Sequence, residues 1–138
     1  MAEASTNYGQ FEVENTKINY LEKWESPGAC QIHLEHPEFT ALCPRSGYPD
    51  GGTIVVDYIP DQWVVELKAF KLYVNSFRND RISHEAVTIA IADRLMAEIN
   101  PRSLRVIGDF MRRGGVKTVI TVERGKGSDL GVYYPNLL

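Results

Sequence analysis

The sequence predicts an α+β fold: one small antiparallel sheet with two helices packed on one of its faces. Two apolar segments with strand-like patterns precede a central stretch of helical periodicity, and two more strand-like segments follow it. The predicted order is therefore β-β-α-α-β-β. Because the edge strands of such a sheet are open to pairing, the fold also predicts a homo-oligomer with sites at the seams between subunits.

Four strands are predicted, at residues 28–36, 53–59, 103–111 and 116–122. In the first of them Cys30, Ile32 and Leu34 alternate with other residues, which is typical of a half-buried strand. The second is rich in β-branched and aromatic residues, which favour strands. The pattern indicates two hairpins, one before and one after the helices.

Two helices are predicted between the hairpins. In the first, Asp61, which directly follows Pro60, is a possible N-cap, and the helix runs through Asn79. Its apolar residues recur at helical spacing: Leu67, Phe70, Val74 and Phe77. The second helix starts near Ser83, whose hydroxyl suits an N-cap, and stops at Asn100 because a proline follows.

Length and composition indicate a single globular domain. The chain has 138 residues, of which 43% are hydrophobic and 24% charged, and its formal net charge is −3. This acidic balance disfavours a nucleic-acid partner. With no signal peptide and no apolar run near 18 residues, we expect a cytoplasmic protein without a membrane anchor and with reduced cysteines. Residues 1–23 are predicted as a partly ordered arm and residues 24–138 as one domain.

Cys43 is the leading candidate for chemistry. It lies where an apolar stretch runs into a loop dense in proline and glycine, and Asp50 follows seven residues later. A thiol on a stiff backbone with a carboxylate nearby offers a nucleophile and a proton carrier, which covalent catalysis needs. A free cysteine by itself is more often a small buried apolar residue, so the catalytic interpretation depends on the rest of the chain.

A second candidate is a row of cations on the first helix. Lys68 and Lys71 lie three residues apart, and hence on one side of the helix, with Arg78 close to the same side. Such a row could hold a phosphate-bearing ligand, but it is also typical of a solvated basic face.

The third candidate is the pair His84 and Glu85 at the start of the second helix. Side by side they could recognise a heterocycle, with the carboxylate accepting hydrogen bonds from ring N–H groups. The alternative is a structural histidine beside an acid that complements the helix dipole.

Two apparent motifs do not fit their usual sites. Four residues resemble zinc ligands: Cys30, His33, His36 and Cys43. However, Cys30 and His33 are an odd number of residues apart on a strand and so point to opposite faces. The glycine-rich run 125–131 has one residue too many for the dinucleotide fingerprint, and no helix follows it. No metal is expected, and a nicotinamide cofactor would need another binding device.

Taken in order, these residues resemble a known family. The segments that carry the resemblance are Leu42-Cys43-Pro44, residues 46–50, 66–73 and 76–79, His84-Glu85 and Arg113-Gly114-Gly115. They resemble the NADPH-dependent 7-cyano-7-deazaguanine reductases (QueF) of queuosine biosynthesis, in their short single-domain form, over about residues 24–124. The segment 66–73 is specific, since it separates the reductases from other members of the tunnelling fold (T-fold).

The resemblance implies a T-fold subunit that assembles into barrel-like pentamers, stacked in pairs as a decamer. It implies the reduction of a nitrile on a 7-deazaguanine to an aminomethyl group by two NADPH, without a metal. Cys43 would form a covalent thioimide with the nitrile carbon, and Asp50 would relay protons. His84 would assist proton transfer or hold the substrate, while Glu85 would bind its guanine-like edge. Basic residues would hold the NADPH phosphates: Lys68, Lys71, Arg78 and Arg113.

Two positions depart from the family pattern, since Gly51 and Ser83 stand where phenylalanine is common. These departures are expected to thin the apolar wall around the substrate without changing the reaction type.

Two alternative functions stay open: an amidine-forming relative that acts on the same nitrile in tRNA, and a non-catalytic purine- or pterin-binding module of the same fold. The first has no use for a cofactor-binding lysine pair, and the second needs no thiol beside Asp50.

Overall fold

The computed structural model describes residues 21–126 and 130–131. In chain order the elements are β1 (Lys23–Glu25), β2 (Ile32–Leu42), β3 (Pro49–Ile59), β4 (Trp63–Val65), α1 (Leu67–Asn75), a 3-10 helix (Ser76–Asn79), α2 (His84–Ile99), β5 (Ser103–Arg113) and β6 (Val116–Gly125). Strands β2, β3, β5 and β6 form one antiparallel sheet in that order, and β1 pairs with β4 in a small second sheet. The predicted α+β fold and its order are confirmed, with β1 and β4 added.

The main core lies between the four-stranded sheet and the two helices. Ile54, Val56 and Tyr58 alternate along β3 toward the helices and are at most 1% exposed. The same core contains Ile91 and Leu95, which lie four residues apart on the inner stripe of α2. Each such side chain contributes roughly 1.5–3 kcal/mol when it is buried. This packing fixes the strand ends, and the candidate site lies at one of those ends.

The strand predicted at residues 28–36 is displaced along the chain. β2 begins at Ile32, and Cys30 precedes it and is exposed. The prediction was wrong at both ends because simple alternation stops at an irregularity between residues 36 and 39, whereas pairing with β3 continues to Leu42. The other three strands of this sheet are confirmed, and each is longer than predicted.

The first helix begins later than predicted, and Asp61 does not cap it. The Asp61 carboxylate instead lies 3.5 Å from Nε of Arg102. The segment after it contains two valines and forms β4. Glu66 caps α1, because its carboxylate accepts hydrogen bonds from the backbone N–H groups of Lys68 at 3.0 Å and Ala69 at 2.8 Å.

The apolar stripe predicted for this helix is only partly buried. Phe70, Val74 and Phe77 lie in the core, but Leu67 is 64% exposed. The α-helix ends at Asn75 and the chain continues as the more tightly wound 3-10 helix. The prediction of one long α-helix was therefore wrong.

The second helix is confirmed at both ends. The Ser83 hydroxyl accepts a hydrogen bond from the Ala86 N–H at 3.0 Å. At the other end Asn100 adopts a left-handed conformation, with φ of 42°, and closes the helix before Pro101.

The N-terminal boundary of the described chain is packed against the core. Leu21 is fully buried and β1 begins at Lys23, whereas residues 1–20 of the predicted arm lie outside the described residues. In the described ranges, no helix is long and apolar enough to cross a membrane.

Candidate active site

A β-bulge in β2 brings Cys43 to the helix side of the sheet. Between His36 and Phe39, β2 has one residue more than the facing stretch of β3. After this extra residue the odd-numbered side chains face the helices, and Phe39 and Ala41 are nearly fully buried there. Cys43 follows Ala41 at the same two-residue spacing, so the thiol lies on that side as well.

The turn after β2 holds Cys43 by its backbone. The Cys43 carbonyl accepts a hydrogen bond from the Gly47 N–H at 2.8 Å. Gly47 has φ of +73°, a conformation that glycine adopts without strain. On the other side of Cys43, the Leu42 N–H donates to the Asp80 carbonyl and the Leu42 carbonyl accepts from the Ile82 N–H. The sulfur is therefore carried by a backbone that is fixed on both sides.

The sulfur of Cys43 lies among hydrogen-bond donors. The strongest is the Ser46 hydroxyl, followed by the backbone N–H groups of Ser46 and Arg45, with a smaller contribution from the Arg113 guanidinium. These donors favour the charged form and lower the pKa of Cys43 to about 7, against an opposing effect of burial. A large fraction of this thiol is therefore thiolate at neutral pH.

Asp50 lies on β3 and is 5% exposed. It shares the helix-facing side of β3 with Ile54, and therefore lies on the same side of the sheet as the thiol. One carboxylate oxygen accepts a hydrogen bond from Nη1 of Arg113, and the other lies 3.5 Å from Nε2 of His84. A buried carboxylate requires such partners, and here they belong to the same cluster as Cys43.

The His84 ring is fixed by stacking. It lies nearly parallel to the ring of Phe110, with 4.0 Å between the centroids and 7° between the planes. Gly108 leaves room for Phe110, since a Cβ at position 108 would lie 2.5 Å from the Phe110 ring. The imidazole is thereby held with Nε2 toward Asp50.

Glu85 is next to His84 in the first turn of α2 and is exposed. Within the described part of the chain, its carboxylate enters no hydrogen bond or ion pair. It is therefore free to accept hydrogen bonds from a ligand that reaches His84.

The predicted cofactor residues of α1 do not join this cluster. Lys71 lines a groove of about 300 Å³ between residues 34–38 of β2 and the α1 residues Leu67 and Phe70, which we name the lysine groove. Lys68, Lys71 and Arg78 are exposed. Roughly 15 Å of helix separates Lys71 from the segment that pairs with Leu42 just before the thiol.

Position 51 lies on the face of the sheet that points away from the helices. Sδ of Met111 is 3.1 Å from the place of a Cβ on Gly51, so Met111 occupies the adjoining space. Within this subunit the glycine therefore does not open the thiol's surroundings. At the other departure, Ser83 serves as the helix cap.

Sequence reasoning missed two contributors to the site and gave a third, Arg113, a different role. Ser46 is one, although a serine before glycine in the turn after a cysteine is a signal for such a donor. Phe110 is another, and no sequence signal distinguishes it from other core aromatics. Arg113 is placed on Asp50 and Cys43, whereas the resemblance implies contact with a cofactor. Across the described ranges, no three His, Cys, Asp or Glu side chains are placed to hold a metal ion.

Comparisons with known proteins point to one family. The family model described as QueF-like protein matches residues 49–129. The NADPH-dependent 7-cyano-7-deazaguanine reductase of Aquifex aeolicus is 50% identical over 118 residues, which are 83% of this chain and 89% of the relative. That of Nitratiruptor sp. is 54% identical over 119 residues, 84% of this chain and 91% of the relative. Among solved structures, the archaeosine synthase QueF-Like in its apo form aligns with a TM-score of 0.63 at 27% identity, covering 73% of this chain and 97% of that one.

Proposed function

The chain belongs to the QueF-like family, and we propose that it reduces the nitrile of 7-cyano-7-deazaguanine to an aminomethyl group. The relatives that are 50% and 54% identical to this chain are NADPH-dependent 7-cyano-7-deazaguanine reductases. The observation that carries this proposal is a thiol with a pKa of about 7 in one cluster with a buried carboxylate. The reaction is a four-electron reduction in queuosine biosynthesis, carried out in the cytoplasm.

The first step is the addition of the Cys43 thiolate to the nitrile carbon. The sulfur–carbon bond forms, one carbon–nitrogen π bond breaks, and the nitrogen takes up a proton to give a neutral thioimide. Asp50 carries that proton from the thiol to the nitrogen, so the step consumes no external acid. His84, 3.5 Å from the second oxygen of Asp50, relays protons in the later steps.

Recognition of the heterocycle falls to Glu85 and His84. The Glu85 carboxylate accepts hydrogen bonds from the ring N–H groups of the guanine-like edge, while the stacked imidazole of His84 holds the ring's orientation. The exposure of Glu85 and its lack of a partner in the described chain support this role.

NADPH would supply the reducing equivalents as hydride: one to the thioimide carbon and, after the carbon–sulfur bond has broken to release the Cys43 thiolate and leave an imine, a second one to the imine carbon. Lys68, Lys71 and Arg78 hold its phosphates. The lysine groove also contains Glu35 and Glu38, whose carboxylates repel phosphate. The NADPH phosphates therefore fit on the outer side of α1, where Lys68 and Lys71 lie three residues apart.

We also propose that the chain acts as a homo-oligomer, a decamer of two pentamers, with active sites at the seams. The two edges of the four-stranded sheet, β2 and β6, support this arrangement because no other strand of the described chain pairs with their outer sides. Cys43 follows directly after β2, and the middle of β2 borders the lysine groove. A neighbouring copy at this edge would therefore approach both regions.

The reductase assignment is favoured over the amidine-forming alternative. Similar reductases are 50% and 54% identical to this chain, whereas the archaeosine synthase structure is 27% identical. The chain also keeps Lys68 and Lys71, which only a cofactor-dependent enzyme needs. A purine- or pterin-binding module would have no use for the activated Cys43 beside Asp50.

Mass spectrometry tests the proposal directly. Incubation with 7-cyano-7-deazaguanine in the absence of NADPH should raise the intact mass by one substrate, with the adduct on Cys43. Cys43→Ala should lose both the adduct and substrate-dependent NADPH oxidation, while the matched control Cys30→Ala should keep both, because Cys30 is exposed and outside the cluster. An adduct on Cys30, or turnover by Cys43→Ala, would contradict the proposal.

A further inference from the structure

Arg113 reaches the thiol because of a second bulge. Between Phe110 and Arg113, β5 has one residue more than the facing stretch of β6. In a regular strand Arg113 would face away from the helices, since Phe110 faces them and lies three residues earlier. The extra residue reverses this direction, and the guanidinium comes to the side that carries Cys43 and Asp50.

There the guanidinium bonds to Asp50 and lies near the thiol. Nη1 of Arg113 donates a hydrogen bond to Asp50, and the guanidinium is near enough to the sulfur of Cys43 to lower the pKa of the thiol. The Asp50 side chain is 5% exposed and that of Arg113 39%, so the pair is shielded from water on the carboxylate's side. A thiolate and a carboxylate in one such cluster repel each other unless a cation lies between them. Arg113 is the cation in that position.

We infer that Arg113 is a catalytic group of the addition step, which holds the Cys43 sulfur as thiolate and at the same time aims the Asp50 carboxylate at the site of proton transfer. This inference rests on the proposed function, because it concerns the thioimide-forming step. It differs from the cofactor-phosphate role that the resemblance implies for Arg113. The hydrogen bond to Asp50 holds the guanidinium at the reacting groups rather than at the lysines of α1.

The addition step balances with these residues alone. The proton that leaves the Cys43 sulfur passes to Asp50, the sulfur's electron pair forms the bond to carbon, and the proton then moves to the nitrile nitrogen. Arg113 keeps its own proton throughout. It offsets the negative charge of Asp50 before the transfer, that of the thiolate while Asp50 carries the proton, and that of Asp50 again once the nitrogen has been protonated. No oxidant or reductant is involved, so the role can be measured before any cofactor is added.

The first test needs neither substrate nor cofactor. In a Cys30→Ala background, the rate of iodoacetamide alkylation against pH reports the ionisation of Cys43. We expect a midpoint near pH 7 for the parent protein. Arg113→Gln should move the midpoint upward, though by less than Ser46→Ala does, because Ser46 contributes more to the lowered pKa of Cys43. Arg113→Lys should recover part of the shift because it restores the charge. The control Arg112→Gln removes the same charge at the neighbouring position and should leave the midpoint unchanged.

The second test separates the effect of Arg113 on the thiol from its effect on Asp50. Ser46→Ala removes the strongest donor to the thiolate but does not touch Asp50, so its rate of thioimide formation without NADPH should fall only as its thiolate fraction falls. Arg113→Gln should lose about tenfold or more beyond its own loss of thiolate, because the proton carrier is no longer aimed. The comparison uses adduct rates divided by the thiolate fraction from the alkylation profile.

The outcomes are distinct. If Arg113→Gln and Arg113→Lys keep the parent alkylation profile and adduct rate and instead raise the KM for NADPH, Arg113 is a cofactor ligand and the inference is overturned. If the adduct rate of Arg113→Gln falls only with its thiolate fraction, the aiming of Asp50 is wrong. If the parent protein forms no adduct, the proposed function fails, whereas the alkylation profile still decides whether Arg113 sets the state of the thiol.

Discussion

Two regions along β2, one just beyond its end and one at its middle, differ in whether their charged groups are paired. The thiol site (Cys43, Asp50, His84 and Arg113) is a cluster whose charged groups contact one another, with Asp50 bonded to Arg113 and close to His84. The lysine groove is open, and the ammonium of Lys71 enters no ion pair within the described part of the chain. One region satisfies its own charges, and the other leaves a cation for a partner to satisfy.

This contrast shows which charged groups must be fixed before a ligand binds. A thiolate beside a carboxylate is unstable without fixed donors and a cation, so the groups of the thiol site must be in place before substrate arrives. A phosphate brings its own charge and needs only accessible cations, which an exposed helix face provides. Bond formation and cofactor binding should therefore respond independently to mutation.

The largest effect is expected within the thiol site. Asp50→Asn should slow thioimide formation by about 10²–10⁴-fold while substrate still binds, because the amide cannot carry the proton.

Glu85→Gln should instead weaken substrate binding by about 10- to 100-fold, since ring N–H donors lose a charged acceptor. Calorimetric titration of substrate and adduct rates at saturating substrate would measure the two effects. Unchanged affinity in Glu85→Gln would contradict the recognition role.

A smaller effect is expected at the two lysines of α1. Replacing Lys68 and Lys71 with Ala should raise the apparent KM for NADPH by about tenfold or more, and much less for NADH, because each cation contributes a charge-assisted contact to phosphate. The loss should shrink at high salt, which screens part of the parent's advantage. Steady-state kinetics at two salt concentrations would show this.

The same double variant tests the independence of the two regions. Its thioimide should form at the parent rate without cofactor, since neither lysine contacts the thiol site. A variant that keeps full preference for NADPH would mean that the lysines are only a solvated face. A slowed adduct would mean that the two regions are coupled.

The smallest effect concerns the helix that carries the lysines. Glu66→Ala should lower the free energy of unfolding by about 1 kcal/mol, because two backbone N–H groups lose their acceptor. Asp61→Ala, at the position that the sequence favoured as the cap, should change it by less than about 0.5 kcal/mol because its ion pair is exposed. Urea denaturation of both variants would compare them, and equal losses would refute the assignment of Glu66 as the cap.

Local patterns in the sequence were enough to predict much of this protein. Alternation and β-branching indicated β3, β5 and β6, and Ser83 with Asn100 marked the ends of α2, because capping and periodicity depend on near neighbours. The residue types of the site were also visible, since Cys43, Asp50 and the pair His84-Glu85 lie within a family pattern. These features need no knowledge of what lies across the sheet.

The tertiary structure decided which of these groups meet. Each of the bulges in β2 and β5 reverses which face of the sheet the later side chains of that strand point to. Only the pairing with β3 and β6 reveals the extra residues. Those reversals bring Cys43 and Arg113 to Asp50, although Arg113 is 63 residues from Asp50 along the chain. Lys71, on α1, lies in a separate groove. A contact across strands depends on register, and register is set by the whole sheet rather than by any short segment.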